Sequence, residues 1–155
     1  MKNTILMMPL IAAFAVFTSP VDAATRVHEI NFHENVPCVG ETIHLDGPFQ
    51  ITLTFSTDKS ITDVEVSVNG IKGTGENPHH KYVADQGNRM TSFPSPYRVR
   101  NGVGRGTIAA TFQINGHVEG SPGIVSRFWA KQIVRVEFGK GLKLDFESLK
   151  VCVTP

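Results

Sequence analysis

Apolar and polar residues alternate with a period of two along most of the chain. In the segment 43–55 the apolar side chains occupy the odd positions, and the alternation is interrupted at Gly47-Pro48. Successive side chains of a β-strand point to opposite faces, so this pattern predicts a long half-buried strand that bends at that dipeptide. Shorter predicted strands with the same alternation lie at 27–33, 64–68, 81–84, 108–114, 132–138 and 142–146.

Short polar segments separate the predicted strands. Asn69-Gly70 and Asn115-Gly116 suit two-residue type I′ hairpin turns, because both residue types tolerate positive φ. The segment 124–131 is compatible with a strand or with one or two helical turns. About eight short strands with tight turns indicate an all-β domain, and we predict a single antiparallel β-barrel or β-sandwich; either architecture fits the pattern.

The first 23 residues resemble a secretory signal peptide. Lys2 precedes an apolar run over 5–17, and Val21-Asp22-Ala23 has small residues at its last and third-last positions. The run is shorter than the roughly 20 residues that a transmembrane helix requires. We therefore expect residues 1–23 to be removed, and residues 24–155 to form one domain that is secreted or periplasmic and has no transmembrane segment.

Two cysteines, Cys38 and Cys152, lie near the two ends of this domain. Disulfides form and persist in the oxidising compartments to which a signal peptide directs a protein. A redox site would need a close pair such as CxxC, which the chain lacks. We expect the two cysteines to form one structural disulfide that closes the domain.

Three features together resemble a group of short secreted bacterial proteins of unassigned function. The stretch 38–47, CVGETIHLDG, is similar to their C-x-G-E-x-V-x-V-x-G start, and the stretch 69–75, NGIKGTG, precedes Tyr82 as in that group. A single cysteine near the C-terminus completes the pattern. The resemblance implies an all-β domain clamped end to end and assigns no activity.

Histidines in an exported protein raise the question of a metal site, because neutral imidazole is a common metal ligand. Histidines occur at six positions: His28, His33, His44, His79, His80 and His117. His28 and His33 are five residues apart and would face opposite sides of a strand, and the adjacent pair 79–80 would diverge. We predict no metal site and no cofactor, with a site across strands, such as His44 with Asp46, as the alternative.

Hydrolytic chemistry is a weaker interpretation of the polar residues. The chain lacks a GxSxG nucleophile elbow, since Pro122 follows Ser121. The glycines of 102–106 precede a strand, whereas phosphate loops precede a helix. Paired carboxylates for glycoside cleavage are available, although each occupies an outward position of a predicted strand or turn. The carboxylates considered are Glu41, Asp63, Glu65, Glu137, Asp145 and Glu147.

Positive charge concentrates in the segment 79–106, within a chain whose formal net charge is only +1. The near-neutral total argues against nucleic acid as a partner. The stretch 92–106, SFPSPYRVRNGVGRG, fits neither strand nor helix and is interpreted as a loop, with an edge strand over 97–100 as the alternative. The candidate binding residues are Lys81, Tyr82, Arg89, Phe93, Tyr97, Arg98, Arg100 and Arg105.

The leading functional hypothesis is an exported non-enzymatic β domain that recognises an anionic glycan, an envelope component or a protein through this basic aromatic segment. A second hypothesis is a small barrel that carries an apolar ligand. Its cavity would be lined by Phe49, Phe55, Phe112 and Phe138. The third is a metal-dependent or carboxylate-dependent hydrolase, which would require a concave cluster of histidines and carboxylates.

Overall fold

A computed structural model describes residues 22–155, which form an antiparallel all-β fold. The described strands are β1 (Asp22–Val36), β2 (Glu41–Phe55), β3 (Ile61–Ser67), β4 (Lys72–Gly75), β5 (His80–Arg100), β6 (Val103–Val118), β7 (Ser126–Phe138), β8 (Leu142–Phe146) and β9 (Lys150–Val151). The all-β prediction is confirmed. Residues 1–21 of the predicted signal peptide lie outside the described residues. Residues 22–155 contain no helix with the length and apolar character needed to cross a membrane.

All the strands belong to one sheet, which curls into a half-barrel. The main order is β1-β2-β4-β5-β6-β7-β8, with β3 beside β2 and β9 beside β7. Curvature brings the two outer edges towards each other, since the His28 ring of β1 stacks on the Phe146 ring of β8 with centroids 4.5 Å apart. No ladder joins β1 to β8 in this part of the chain.

The concave side of the sheet holds the core. Phe49 of β2 and Phe112 of β6 are fully buried, and their ring centroids lie 6.3 Å apart across the interior. Phe55 and Phe138 meet at 4.6 Å nearer the other end of the curled sheet. These positions follow the alternation of the sequence, because every second side chain of a strand faces inward.

The predicted disulfide is confirmed. Cys38, in the turn between β1 and β2, is bonded to Cys152, which follows β9, and the two Cα atoms are 5.8 Å apart. The backbone N–H of Cys38 also donates to Cys152 Sγ at 3.2 Å. The bond therefore ties one side of the sheet to the other.

Asn69-Gly70 forms a turn but not the predicted hairpin. β3 and β4 both pair antiparallel with β2, one after the other, so the turn joins two successive segments along the same strand edge. Gly70 has a φ of +100°, and Ile71 N–H donates to the Val68 carbonyl at 3.1 Å. A side chain on Gly47, whose φ is +129°, would collide with the Gly70 carbonyl oxygen. The absence of a side chain at Gly47 in β2 thus makes room for this turn.

The predicted hairpin at Asn115-Gly116 is wrong. Both residues lie within β6 and pair with β5 on one side and β7 on the other. Gly116 is required there for space, because a Cβ atom would lie 2.7 Å from the Tyr82 ring. In the segment 124–131, which the sequence left open between strand and helix, residues 126–131 form the start of β7.

Candidate functional site

The basic segment 79–106 is a long β-hairpin formed by β5 and β6, so the interpretation of 92–106 as a loop is wrong. The alternative of an edge strand over 97–100 is the observed one. Asn101 and Gly102 have φ values of 50° and 72° and join the paired residues Arg100 and Val103. These angles correspond to a two-residue type I′ turn. The Asn-Gly signal was therefore present in the sequence at 101–102 and was missed there.

The β5 ladder is irregular, which explains why the sequence has no strand pattern. Its register against β6 shifts between Asp85 and Arg89 and twice more between 92 and 98. Gly106 then lets the two strands approach, since a Cβ atom on it would lie 2.6 Å from the Tyr97 Cα atom. Tyr97 Oη donates to the Lys59 carbonyl at 2.9 Å. Burial, and to a lesser degree the charge of Asp58, raise the pKa of Tyr97.

The eight candidate binding residues do not all share one surface. Tyr82 is buried, with 2% of its surface exposed, and belongs to the interior. Lys81 lies at the same end of β5 on the outer face, where its Nζ is 3.9 Å from Glu119. Arg105 is on the outer face of β6 and donates to Glu137 at 2.7 Å. Tyr82 and Lys81 lie apart from the other candidates, whereas Arg105 is the cross-strand neighbour of Arg98.

The other five candidates lie along one edge of β5. Arg89, Phe93 and Tyr97 border a cleft between β5 and β3. Arg98 and Arg100 are exposed near its far end, and no carboxylate of residues 22–155 lies within 4 Å of either guanidinium. The sequence indicated a basic aromatic surface of eight residues. In the structure, Arg98 and Arg100 are two cations of this edge that have no ion-pair partner within residues 22–155.

The cleft separates two unpaired strand edges. β3 pairs only with β2, and β5 pairs only with β6 from Arg89 onward, within the described chain. At one end Val68 N–H donates to Gln86 Oε1 at 2.8 Å and closes the cleft. At the other end Lys59 Nζ donates to the carbonyls of Gly102 at 2.7 Å and Gly139 at 2.6 Å. The opening is therefore bounded at both ends by specific contacts.

Two grooves occupy the length of the cleft. The first, of about 520 Å³, has polar walls. Its main polar lining residues are Gln50, Thr52, Glu65, Ser67, Gln86 and Arg89. The second, of about 330 Å³, lies nearer the hairpin turn and has a more apolar wall that includes Ile61, Phe93 and Val99. Two large apolar side chains, each 44% exposed, border the cleft: Met90 at the first groove and Phe93 at the second.

The two walls of the cleft have opposite charge. Asp63 and Glu65 are exposed on β3, whereas Arg89 is exposed on β5. The excess of cations that the segment 79–106 shows in sequence is thus partly opposed across the cleft. At the end that carries Arg98 and Arg100, neither guanidinium forms an ion pair within residues 22–155.

A second polar cluster lies at the opposite end of β5. Glu41 of β2 reaches past Gly75 of β4, whose missing side chain leaves the space, and accepts hydrogen bonds from the Tyr82 hydroxyl and from His80 Nδ1, the latter at 2.9 Å. Burial alone would raise the pKa of Glu41, but the bonds from Tyr82 and His80 outweigh it and lower that pKa. Burial and the bond to Glu41 raise the pKa of Tyr82 to about 12.

The hydrogen bonds of this cluster hold β2 and β5 together. Residues 22–155 contain no group of three or more His, Cys, Asp or Glu side chains that could hold a metal ion. One oxygen of Glu41 receives both side-chain hydrogen bonds, which leaves the carboxylate engaged in holding β2 to β5. Glu41 and His80 lie 39 residues apart, and no pattern in the sequence indicates that they meet.

Replacing the carboxylate of this cluster, as Glu41→Gln, will lower the free energy of unfolding at pH 7 by about 1–3 kcal/mol, because two donors lose a charged acceptor. A lowered pKa in the folded state means that the carboxylate stabilises the protein above its unfolded-state pKa. That contribution is lost as the pH falls through the lower folded-state value. The free energy of unfolding measured in urea should therefore fall more steeply below about pH 4.5 for the wild type than for the variant.

The exposed Glu34→Gln on β1 is the matched control, and it should leave both the stability and its pH dependence unchanged. If the stability of the wild type and of Glu41→Gln falls equally in acid, the Glu41 carboxylate does not hold β2 to β5 as described.

Comparison with protein-family models, with curated proteins and with solved structures gives no match for this chain. Its function is therefore inferred from the geometry of the cleft and of the β5 edge.

Proposed function

We propose that the protein is a non-enzymatic binding domain which acts in the periplasm or outside the cell and holds its partner along the cleft and the basic edge of β5. The observation that carries this proposal is the pair of unpaired strand edges, β3 and β5, facing each other. Unpaired edges present rows of free N–H and C=O groups and are ready sites for association. Exposed arginine and aromatic residues beside them, here Arg98 and Phe93, are enriched in binding surfaces.

The disulfide and the predicted signal peptide support the proposed compartment. Structural disulfides are rare in the reducing cytosol and common in exported domains. The Cys38–Cys152 bond is compatible with an extracellular or periplasmic location.

Anionic groups are the proposed target of the basic edge. A guanidinium matches carboxylate, sulfate and phosphate by forked hydrogen bonds, and Arg98 and Arg100 have no such partner of their own in residues 22–155. The ligand classes in question remain an anionic glycan, an envelope component and a protein.

Packing of the interior favours this proposal over an apolar-ligand carrier. Phe49 contacts Phe112, and Phe55 contacts Phe138, so the side chains that would line a cavity contact one another. The histidine and carboxylate cluster at Glu41 holds strands together and lies away from the cleft, which gives the hydrolase hypothesis no support.

Removing the free arginines, as Arg98→Ala/Arg100→Ala, will weaken binding of a soluble polyanion by roughly 5- to 30-fold, since each exposed charge pair contributes up to about 1 kcal/mol. The probes are dextran sulfate and poly-L-glutamate, measured by titration at several salt concentrations. The salt dependence of binding should fall together with the affinity.

The matched control removes the same charge elsewhere, as Arg26→Ala/Arg127→Ala, at two exposed positions on β1 and β7. Thermal unfolding should show that both double variants fold. An affinity that is unchanged in the first variant, or that falls equally in both, contradicts the proposed site.

A further inference from the structure

The geometry points to an extended segment of a partner polypeptide as the occupant of the cleft, added to the sheet as a strand between β3 and β5. This inference rests on the proposed binding site and states which chemistry fills it. Its first support is that both walls are strand edges. Only another extended backbone presents donors and acceptors at the spacing that can satisfy both edges.

Strand directions determine how such a segment would pair. β3 and β4 run in the same direction, because both are antiparallel to β2, and β5 is antiparallel to β4. β3 and β5 are therefore antiparallel to each other. A strand inserted between them must be antiparallel to one and parallel to the other, and it thereby makes the sheet continuous across the cleft.

At one end of the cleft, a side chain of β5 already accepts a hydrogen bond from a backbone N–H next to β3. The side-chain oxygen Oε1 of Gln86 accepts the hydrogen bond from Val68 N–H at 2.8 Å, just beyond the end of β3. Immediately afterwards the β5 ladder shifts register, between Asp85 and Arg89, and β5 has no further ladder to β4. Beyond this point nothing in residues 22–155 pairs with the facing edge of β3 as a strand.

Prolines limit the length of the segment. Pro94 and Pro96 have no N–H, so β5 offers an uninterrupted backbone only over 88–93. β3 contains no proline in 61–67. A partner segment can pair with both edges over about five or six residues, a length of roughly 20 Å.

The charges and polarity of the walls favour a polypeptide over a polyanionic glycan within the cleft. Glu65 on one wall and Arg89 on the other oppose each other in sign, and a sulfated chain in the cleft would be repelled by Glu65. A peptide backbone has no net charge and supplies both donors and acceptors to the neutral polar wall. The more apolar groove at Ile61 and Phe93 accepts an apolar side chain.

The test uses a mixture of ten-residue peptides in which Thr, Val or Tyr alternates with Glu, Ser or Lys, together with the same mixture N-methylated at alternate residues. Methylation removes backbone donors and leaves the charges unchanged. We expect the unmodified peptides to bind the full exported domain and the methylated mixture to bind at least about 10-fold more weakly, since several ladder hydrogen bonds are lost.

Hydrogen exchange followed by NMR supplies a second readout. Bound peptide should slow the exchange of alternate amides in 61–67 and in 88–93, and should leave the outer edge of β1 unaffected. The variant Phe93→Ala should reduce peptide affinity without this protection pattern moving elsewhere.

Three outcomes overturn the inference, and they differ in what they mean for the proposed function. Equal binding of methylated and unmodified peptides means that side chains alone hold the partner, and the proposed site survives. Binding of dextran sulfate that depends on Arg98 and Arg100, with no peptide binding, also leaves the proposed site and removes strand addition. Binding of neither peptides nor polyanions contradicts both.

Discussion

Replacing both cysteines with alanine, as Cys38→Ala/Cys152→Ala, will lower the free energy of unfolding by about 2–5 kcal/mol. The bond closes a loop between residues 114 apart in sequence, so its loss frees most of the unfolded chain. It also ties the β1–β2 turn to the segment that follows β9, where the sheet has no ladder of its own across the gap in residues 22–155. Guanidinium unfolding at pH 7 measures the change.

The wild type treated with a reducing agent is the matched control, and it should unfold at the same denaturant concentration as the double variant. A double variant as stable as the oxidised wild type, within about 0.5 kcal/mol, would contradict a stabilising role of the bond, since that is the scale of neutral surface changes. Binding of the polyanion or peptide probes by the folded fraction should persist, because the cleft lies on β3 and β5.

Truncating the central aromatic residue of the interior, as Phe112→Ala, will cost about 3–5 kcal/mol of unfolding free energy. Phe112 is fully buried in the middle of β6, between β5 and β7, and faces Phe49 across the core. Its loss removes contacts from both halves of the curled sheet and leaves a cavity that the β ladders prevent from collapsing. Urea unfolding and the thermal midpoint measure the effect.

The same truncation at an exposed position, Phe93→Ala, is the control and should change stability by no more than about 0.5 kcal/mol. The two variants together separate stability from binding, because Phe93 lies beside the cleft whereas Phe112 supports the fold. A Phe112→Ala protein that loses less than about 1 kcal/mol would mean that the interior is not packed as described.

Much of the fold could be predicted from the period-two alternation. The inward positions of β2 and β6 are those marked as apolar in the sequence, and the half-buried strand predicted over 43–55 lies within β2. Turn positions were predicted less well, because an Asn-Gly dipeptide favours positive φ but does not require it. Asn115 and Gly116 lie inside a strand, where the absence of a side chain at Gly116 accommodates the Tyr82 ring.

The candidate site was only partly within reach of the sequence. Charge and aromatic composition indicated the segment 79–106, and five of its candidates do lie along one strand edge. Of the other candidates, Arg105 lies opposite Arg98 in the ladder but is paired with Glu137, and Tyr82 is buried and bonded to Glu41. The sequence contained no indication of β3 as the opposite wall of a cleft.

The sequence by itself determined the strand class of the domain, the inward faces, the pairing of its two cysteines and the location of its excess positive charge. These properties depend on local periodicity or on the number of residues of one type, and both can be read along a single chain. Only the tertiary structure decided that one edge of β3 and one edge of β5 remain unpaired and face each other, because strand pairing depends on contacts between residues far apart in sequence. The proposed binding role of the stretch 92–106 therefore depends on β3, about thirty residues earlier, because the free edge of β3 faces β5.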